Sequence, residues 1–443
     1  MKRLLLFALI IAATACGTST STPVPVATPT SLPVPVSTPS PVTLQLWTVL
    51  PDKGINDQNL GELIQIFRRE YPLINVTVSS QPTYTDLYRK VVASIAAGTL
   101  PDLVTGLGPD MLQYARLKAL TALDDLVSAG DGLSPADLAD IPSGMLETMR
   151  FSDQQDKLYS LPFARGALAL YYNWSAMKGI GITNTPKSWD EFKLHAKSLT
   201  KNPVRGFAYR SEAAVFHAML LSRGGSFFNA DLSKATFNAA PGVDSLFYLG
   251  EGVKEGWIYR AEGSSDMTDF TTGRTIFNLA STAAIPAYQN AINESVKKGV
   301  KDFEWGVTLL PQADPAKPAT LLVGSNIGIL KGLPARQQAA WTFLRWLMQD
   351  KNSAHWTEAT GVLPSRLAAQ PQLAALFLKA PQQKQAFLEL LPAARPEANV
   401  RSAFDVRDLV EAAIAAFESG KAAPKAALDD AAAKATVLLN DKK

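Results

Sequence analysis

One cysteine, three histidines and almost no charge imbalance mark this chain of 443 residues. A lone cysteine, Cys16, excludes any disulfide within the chain. His195, His217 and His355 lack metal-ligand spacing, so neither a metal nor a cofactor is expected. With 43 basic and 40 acidic residues the net charge is +3. That balance argues against nucleic acid as a partner, because neutralising phosphates needs a basic surface. No second long apolar run follows the first fifteen residues, so the mature chain is expected not to span a membrane. No short-period repeat is present.

What is present starts with an export signal over residues 1–15. Lys2 and Arg3 precede an apolar run, Leu4 to Ala13, that is too short to cross a bilayer. Ala13-Thr14-Ala15-Cys16 then resembles the lipobox of bacterial lipoproteins, although Ala13 stands where leucine is usual. Lipidation of Cys16 would anchor the chain to the outer face of the cell membrane. Residues 16–41 are mostly Thr, Ser, Pro and Val with prolines throughout, a composition too poor in core residues to fold. They read as an extended stalk.

The remaining residues, some 400, are too many for a single core and predict two lobes. Thr43–Val49 alternates as a strand, and Leu60, Leu63, Ile64 and Phe67 recur at helical spacing. Ile74–Val78 is a second strand, Asp86–Ala97 a helix closed by Gly98, and Leu103–Thr105 a third strand. That order predicts a parallel α/β lobe. Two strand-like runs flank Pro162 in Lys157–Asn173, and helices are expected over Ser188–Leu199, Ala213–Ser222 and Gly242–Gly256. Thr275–Ala280 and Leu321–Leu330 read as strands, the latter as a pair or one bent strand. Pro334–Gln349 and an alanine-rich tail, Asp405–Leu439, broken at Gly420–Pro424, are helical.

Several segments in order carry a family resemblance. They are YTDLYRKVVASIAAGTLPDLV (84–104), DKLYSLPFARGALALYYN (156–173), TPKSWDEFKLHAKSLT (185–200), FTTGRTIFNLASTAA (270–284), residues 340–348 and TGVLPSR (360–366). With the lipobox in front, the chain resembles the family 1 extracellular solute-binding proteins, sugar-binding lipoproteins of bacterial ABC importers. The resemblance implies a two-lobed type II periplasmic-binding fold, α/β, with a ligand cleft between lobes. It places lobe 1 at 42–161 and 320–362 and lobe 2 at 162–319 and 363–443. It also implies a monomer that captures a sugar or polyol, closes over it and docks on ABC permease subunits. Ala280-Ser281-Thr282 and NVRSAFDVR (399–407) are similar to the branch that binds glycerol 3-phosphate and its diesters. Against that branch, no acid occurs in Thr105–Gly108, Ala164-Arg165-Gly166 replaces a serine pair, and Val362 replaces an aromatic. The broader reading, a carbohydrate or polyol, is therefore preferred.

A sugar needs flat apolar faces for its C–H groups and directional polar groups for its hydroxyls. Trp47 and Trp257, near element ends, are candidates for stacking, whereas Trp189, Trp341 and Trp346 sit at helical spacing and read as core. Tyr84 matches a ligand-contacting position of the glycerol-phosphate branch and is equally readable as a surface tyrosine; the loop from Thr105 to Asp110, with Gly106, matches the family's cleft lining, and Asp110 is also readable as a helix cap. Arg165, in apolar company, needs a partner that is either a ligand oxygen or a carboxylate. Ser281, Thr282 and Asn326 lie at strand ends or crossings, where hydrogen bonds to turns are the competing role. Arg407 matches a binding arginine of the glycerol-phosphate branch, and the competing role is a helix start in which Asp405 and Asp408 satisfy it. The rival class is an exported hydrolase such as a glycosidase. Ser-x-x-Lys occurs three times (Ser175, Ser198, Ser295) without its companion motifs and there is no Gly-x-Ser-x-Gly elbow, but paired acids that meet only in space stay open.

Overall fold

The computed structural model describes residues 40–49, 55–400 and 402–441, so the leader, Cys16 and nearly all of the stalk lie outside the described residues. Apolar alternation and β-branched residues produce β1 (Val42–Thr48), β2 (Ile74–Ser80) and β3 (Leu103–Gly106). Two short strands, β4 (Arg150–Phe151) and β5 (Lys157–Leu158), precede β6 (Leu161–Asn173). Then follow β7 (Arg205–Arg210), β8 (Ile258–Ala261), β9 (Thr275–Ser281), β10 (Trp305–Thr308), β11 (Thr320–Ile329) and β12 (Ala394–Pro396).

The strand order is β2-β1-β3-β11-β6-β9-β7-β8, with β10 beside β6 and β12 beside β11. β1, β2 and β3 are mutually parallel, as expected, and so are β9, β7 and β8. Two long strands join these sets. β6 pairs antiparallel with β11 through residues 161–167 and with β9 through residues 168–172. β11 in turn pairs with β3 from Asn326 to Ile329. The 157–173 region thus contains a two-residue strand and then one long strand that runs through Pro162, instead of two runs that flank it. Pro162 is tolerated near its start, opposite the register shift at Ser325/Asn326.

Helices cover the sheet where their caps predict. Over Tyr84–Ala97 the Thr83 hydroxyl accepts from the Asp86 N–H at 3.1 Å, and Gly98 closes the end at φ +70°. The tail forms Ala403–Glu418 and Pro424–Asn440, which pack on each other and on Ala213–Ser222 and Ala240–Glu255. Trp341 and Trp346 are core, as their spacing predicts, and Trp189 is half-buried. One apolar cluster runs without interruption from β1 through Phe163 to Tyr171 and Trp305, so the crossing strands share a core with both parallel sets. Among the described residues no helix is long and apolar enough to cross a membrane.

Candidate functional site

Where β6 and β11 cross, the backbone bends at Gly324. Its φ is +98°, and a Cβ there would stand 2.0 Å from the Ala164 carbonyl oxygen, so only glycine fits. Beside this bend lies a cavity of about 370 Å³, within the range of small-molecule sites. Tyr84, Arg165, Glu212, Glu397, Arg407 and Glu411 supply its polar groups, and Leu107, Pro109 and Val323 are among its apolar walls.

Three sequence candidates meet here. The Arg165 side chain rises from β6, and the residue is only 3 % exposed. Its Nη1 donates to the Gly324 carbonyl, and its Nε has no partner among the described residues. Burial pulls the guanidinium down to about 10, against the opposing pull of Tyr84 and Glu397. Tyr84 opens its helix near Ser325; burial raises its pKa, against the opposing pull of Ser325 and Arg165. Arg407 donates from Nη2 to Glu397 Oε2 at 2.7 Å, so Glu397 and not Asp405 or Asp408 is its partner. Burial alone would lower the Arg407 pKa; Glu397 first, with Asp110 and Glu411, more than offsets this and leaves it raised.

Asp110 lies just behind the wall, fully buried. Its Oδ2 accepts from the Leu107 N–H at 2.8 Å, the capping role, while Oδ1 has no partner among the described residues. Gly106 is packed against it, with an imagined Cβ 3.1 Å from Asp110 Cβ. Burial raises this carboxyl to about 7; the Leu107 hydrogen bond and Arg407 pull it down, and Glu397 pushes it further up. Because the folded pKa is raised, the stability Asp110 contributes is fully present below its unfolded value near 4 and is lost as pH rises through about 7. Asp110→Asn keeps an oxygen for Leu107 and should therefore flatten the fall in melting temperature between pH 5 and pH 8. Equal slopes for variant and wild type would refute this.

The other candidates are placed elsewhere. Asn326 is completely buried; its Nδ2 donates to Thr148 O, Thr148 Oγ1 and Ser160 Oγ, each at 3.0 Å, which ties β11 to the preceding turns. Thr282 Oγ1 accepts from the Ala167 N–H at 3.0 Å, fastening the end of β9 to β6, and Ser281 Oγ accepts from the Ala283 N–H at 3.2 Å in a local turn, so both hydroxyls are engaged by backbone. Trp257 is 1 % exposed, packs edge-on to Tyr248 and donates from Nε1 to Glu255, so neither ring face is open to a ligand. Trp47 is half-buried with the Lys90 ammonium 4.1 Å over its ring, outside this cavity.

Glu397, Glu411 and Glu212 had no signal in the sequence beyond the place of Glu397 just before the 399–407 segment. Glu411 Oε1 accepts from the Ala213 N–H at 3.3 Å, and Glu212 pairs with Arg210 at 3.2 Å. His217 is buried nearby against Phe227, and burial lowers its pKa to about 4. A second, more open cavity of about 940 Å³ adjoins through Asn399, which fills the space a Cβ on Gly108 would need, at 2.3 Å.

Parallel strand sets joined by two crossing strands, with a polar cavity at the crossing, define a mixed α/β periplasmic-binding-protein fold. The chain belongs to the bacterial extracellular solute-binding protein family, whose model matches residues 62–385. It is thus an extracytoplasmic binding protein and not an enzyme. The sn-glycerol-3-phosphate-binding periplasmic protein UgpB of Escherichia coli (strain K12) is 23 % identical over 432 residues, covering 89 % of this chain and 93 % of that protein. Among solved structures, the cyclic alpha-maltosyl-1,6-maltose binding protein of Arthrobacter globiformis has a TM-score of 0.76 at 22 % identity, covering 91 % of this chain and all of that one. UgpB of Mycobacterium tuberculosis, in complex with glycerophosphocholine, has a TM-score of 0.77 at 21 % identity, covering 90 % of this chain and 98 % of that one.

Proposed function

We propose that the chain captures a neutral carbohydrate or polyol in the cavity beside Gly324 and delivers it to the permease of an ABC importer. The observation that carries this reading is the mixed polar wall, in which Arg165 and Arg407 are faced by Glu212, Glu397 and Glu411. Hydroxyl groups both donate and accept, so they use guanidinium and carboxylate groups together. A phosphate monoester would meet more negative than positive charge. A glycerophosphodiester is the second reading, favoured by the unpartnered Arg165 Nε and by the UgpB relatives.

Lobe 1 comprises residues 42–161 and 320–362 and lobe 2 comprises 162–319 and 363–443, with pivots where β6, β11 and residues 362–366 cross. Few residues need to change dihedral angles there, so contacts with a ligand can decide between open and closed forms. A thermal-shift panel of sugars, polyols and glycerophosphodiesters tests the reading, because a ligand of the native state alone raises the melting point. A hit should also reduce the radius of gyration in small-angle scattering. No shift with any sugar or polyol, and a shift with a phosphodiester, would replace the first reading by the second.

Cys16 is proposed as the lipidated anchor, on the apolar run ending in small residues and the proline-rich stalk behind it. Cys16→Ser should move the protein from the membrane fraction to the soluble one. Unchanged membrane retention would refute the anchor.

A further inference from the structure

Glu397 is one of three acids on the cavity wall. It ion-pairs with Arg407 at 2.7 Å. Its side chain is 30 % exposed, so it is neither withdrawn into the core nor free in solvent. The other two wall glutamates are engaged elsewhere, Glu212 with Arg210 and Glu411 with the Ala213 N–H. Arg165 is the remaining cation of the wall, and its hydrogen bond goes to a neutral carbonyl.

We infer that Glu397 is a specificity-determining residue that keeps anionic solutes out by occupying Arg407 and adding a negative charge to the cavity wall. This rests on the reading of the cavity as the ligand site. A phosphate or carboxylate entering here must displace Glu397 from Arg407 or lie beside it, and both cost electrostatic energy that a neutral hydroxyl does not incur. The Glu397 charge acts on both wall arginines, favouring their charged forms. Without the carboxylate, Arg407 would offer a fork of N–H donors suited to two phosphate oxygens.

The test is calorimetric titration of the full chain at low salt with maltose, glycerol, glycerol 3-phosphate and glycerophosphocholine. Wild type, Glu397→Gln and the double variant Glu397→Gln/Arg407→Gln are compared. Glu397→Gln should bind glycerol 3-phosphate at least tenfold more tightly than wild type, and the double variant should lose that gain. No gain in a folded Glu397→Gln protein, or a gain that survives in the double variant, would overturn the inference. So would wild type binding glycerol 3-phosphate as tightly as the variant. Glu397→Ser is the second variant should the glutamine form melt early; unfolding of both would make Glu397 a structural residue and overturn the inference too. If wild type takes neither neutral ligand but Glu397→Gln gains the anion, the charge filter stands and the carbohydrate reading fails.

Discussion

Arg165→Ala is expected to weaken ligand capture by about 1.5–3 kcal/mol, the range for a lost charge-assisted hydrogen bond. The side chain stands on β6 where that strand passes from one parallel set to the other. Nη1 holds the Gly324 carbonyl at the bend, and Nε faces no partner among the described residues. A buried guanidinium with an idle donor is costly on its own account, and burial already pulls it down to about 10. Truncation removes that cost and leaves no carboxylate stranded, because Glu397 keeps Arg407. Affinity should therefore fall by more than stability does. Calorimetry with the best ligand of the thermal panel, beside a melt of the empty protein, separates the two. A lower melting point with unchanged affinity would make Arg165 a structural residue.

The second large effect is on stability. Arg366→Ala should destabilise the fold by about 3–5 kcal/mol, the range for breaking a buried ion pair by removing one partner. Arg366 is buried with Nε donating to Asp140 Oδ2 at 2.7 Å, Nη2 to Asp137 Oδ1 at 2.8 Å and Nη1 to the Met348 carbonyl at 3.0 Å. Asp350 completes the cluster at 3.6 Å. Asp140 also accepts from the Ala368 N–H, so the network fastens the chain just after the 361–366 segment to the turn at 137–140. Asp137 is held below its ordinary pKa, by the Ser134 hydroxyl first and by Arg366 as well. Its share is present at neutral pH and is lost as pH falls through that lowered value. Arg366 does not line the cavity, so ligand affinity of the folded variant should be close to wild type. A melting point within a degree or two of wild type would refute the assignment.

Both predictions concern arginines in segments that the family resemblance had already picked out, 156–173 and 360–366. The sequence told them apart poorly. An arginine in apolar surroundings announces only that it needs a partner. Whether it meets carboxylates, as Arg366 meets Asp137 and Asp140 more than two hundred positions away, or lines a cavity, as Arg165 does, depends on contacts that spacing along the chain does not encode. Trp257 illustrates the same gap from the other side. Its place at a helix end suggested an accessible ring, yet β8 begins at the next residue and draws it into the core. Asn326 does lie on the crossing strand β11, but three acceptors, the Thr148 carbonyl, the Thr148 hydroxyl and the Ser160 hydroxyl, absorb its Nδ2.

Local order was legible because it depends on near neighbours. Caps such as Ser188, whose hydroxyl accepts from the Glu191 N–H at 3.1 Å, and glycines such as Gly98 and Gly256 mark helix ends within a few residues. Alternation marks β1 and β-branched residues mark β2. The short strands β7, β8, β10 and β12 gave little periodic signal, because a run of three to six residues owes its pairing to the neighbour it meets. From sequence alone came the fold class, the family, the binding rather than catalytic role, and three polar groups of the cavity, Tyr84, Arg165 and Arg407. Tertiary structure alone decided that Glu397, Glu411 and Glu212 join them, since the charge balance of a site is a property of side chains gathered in space, and no spacing along the chain encodes it.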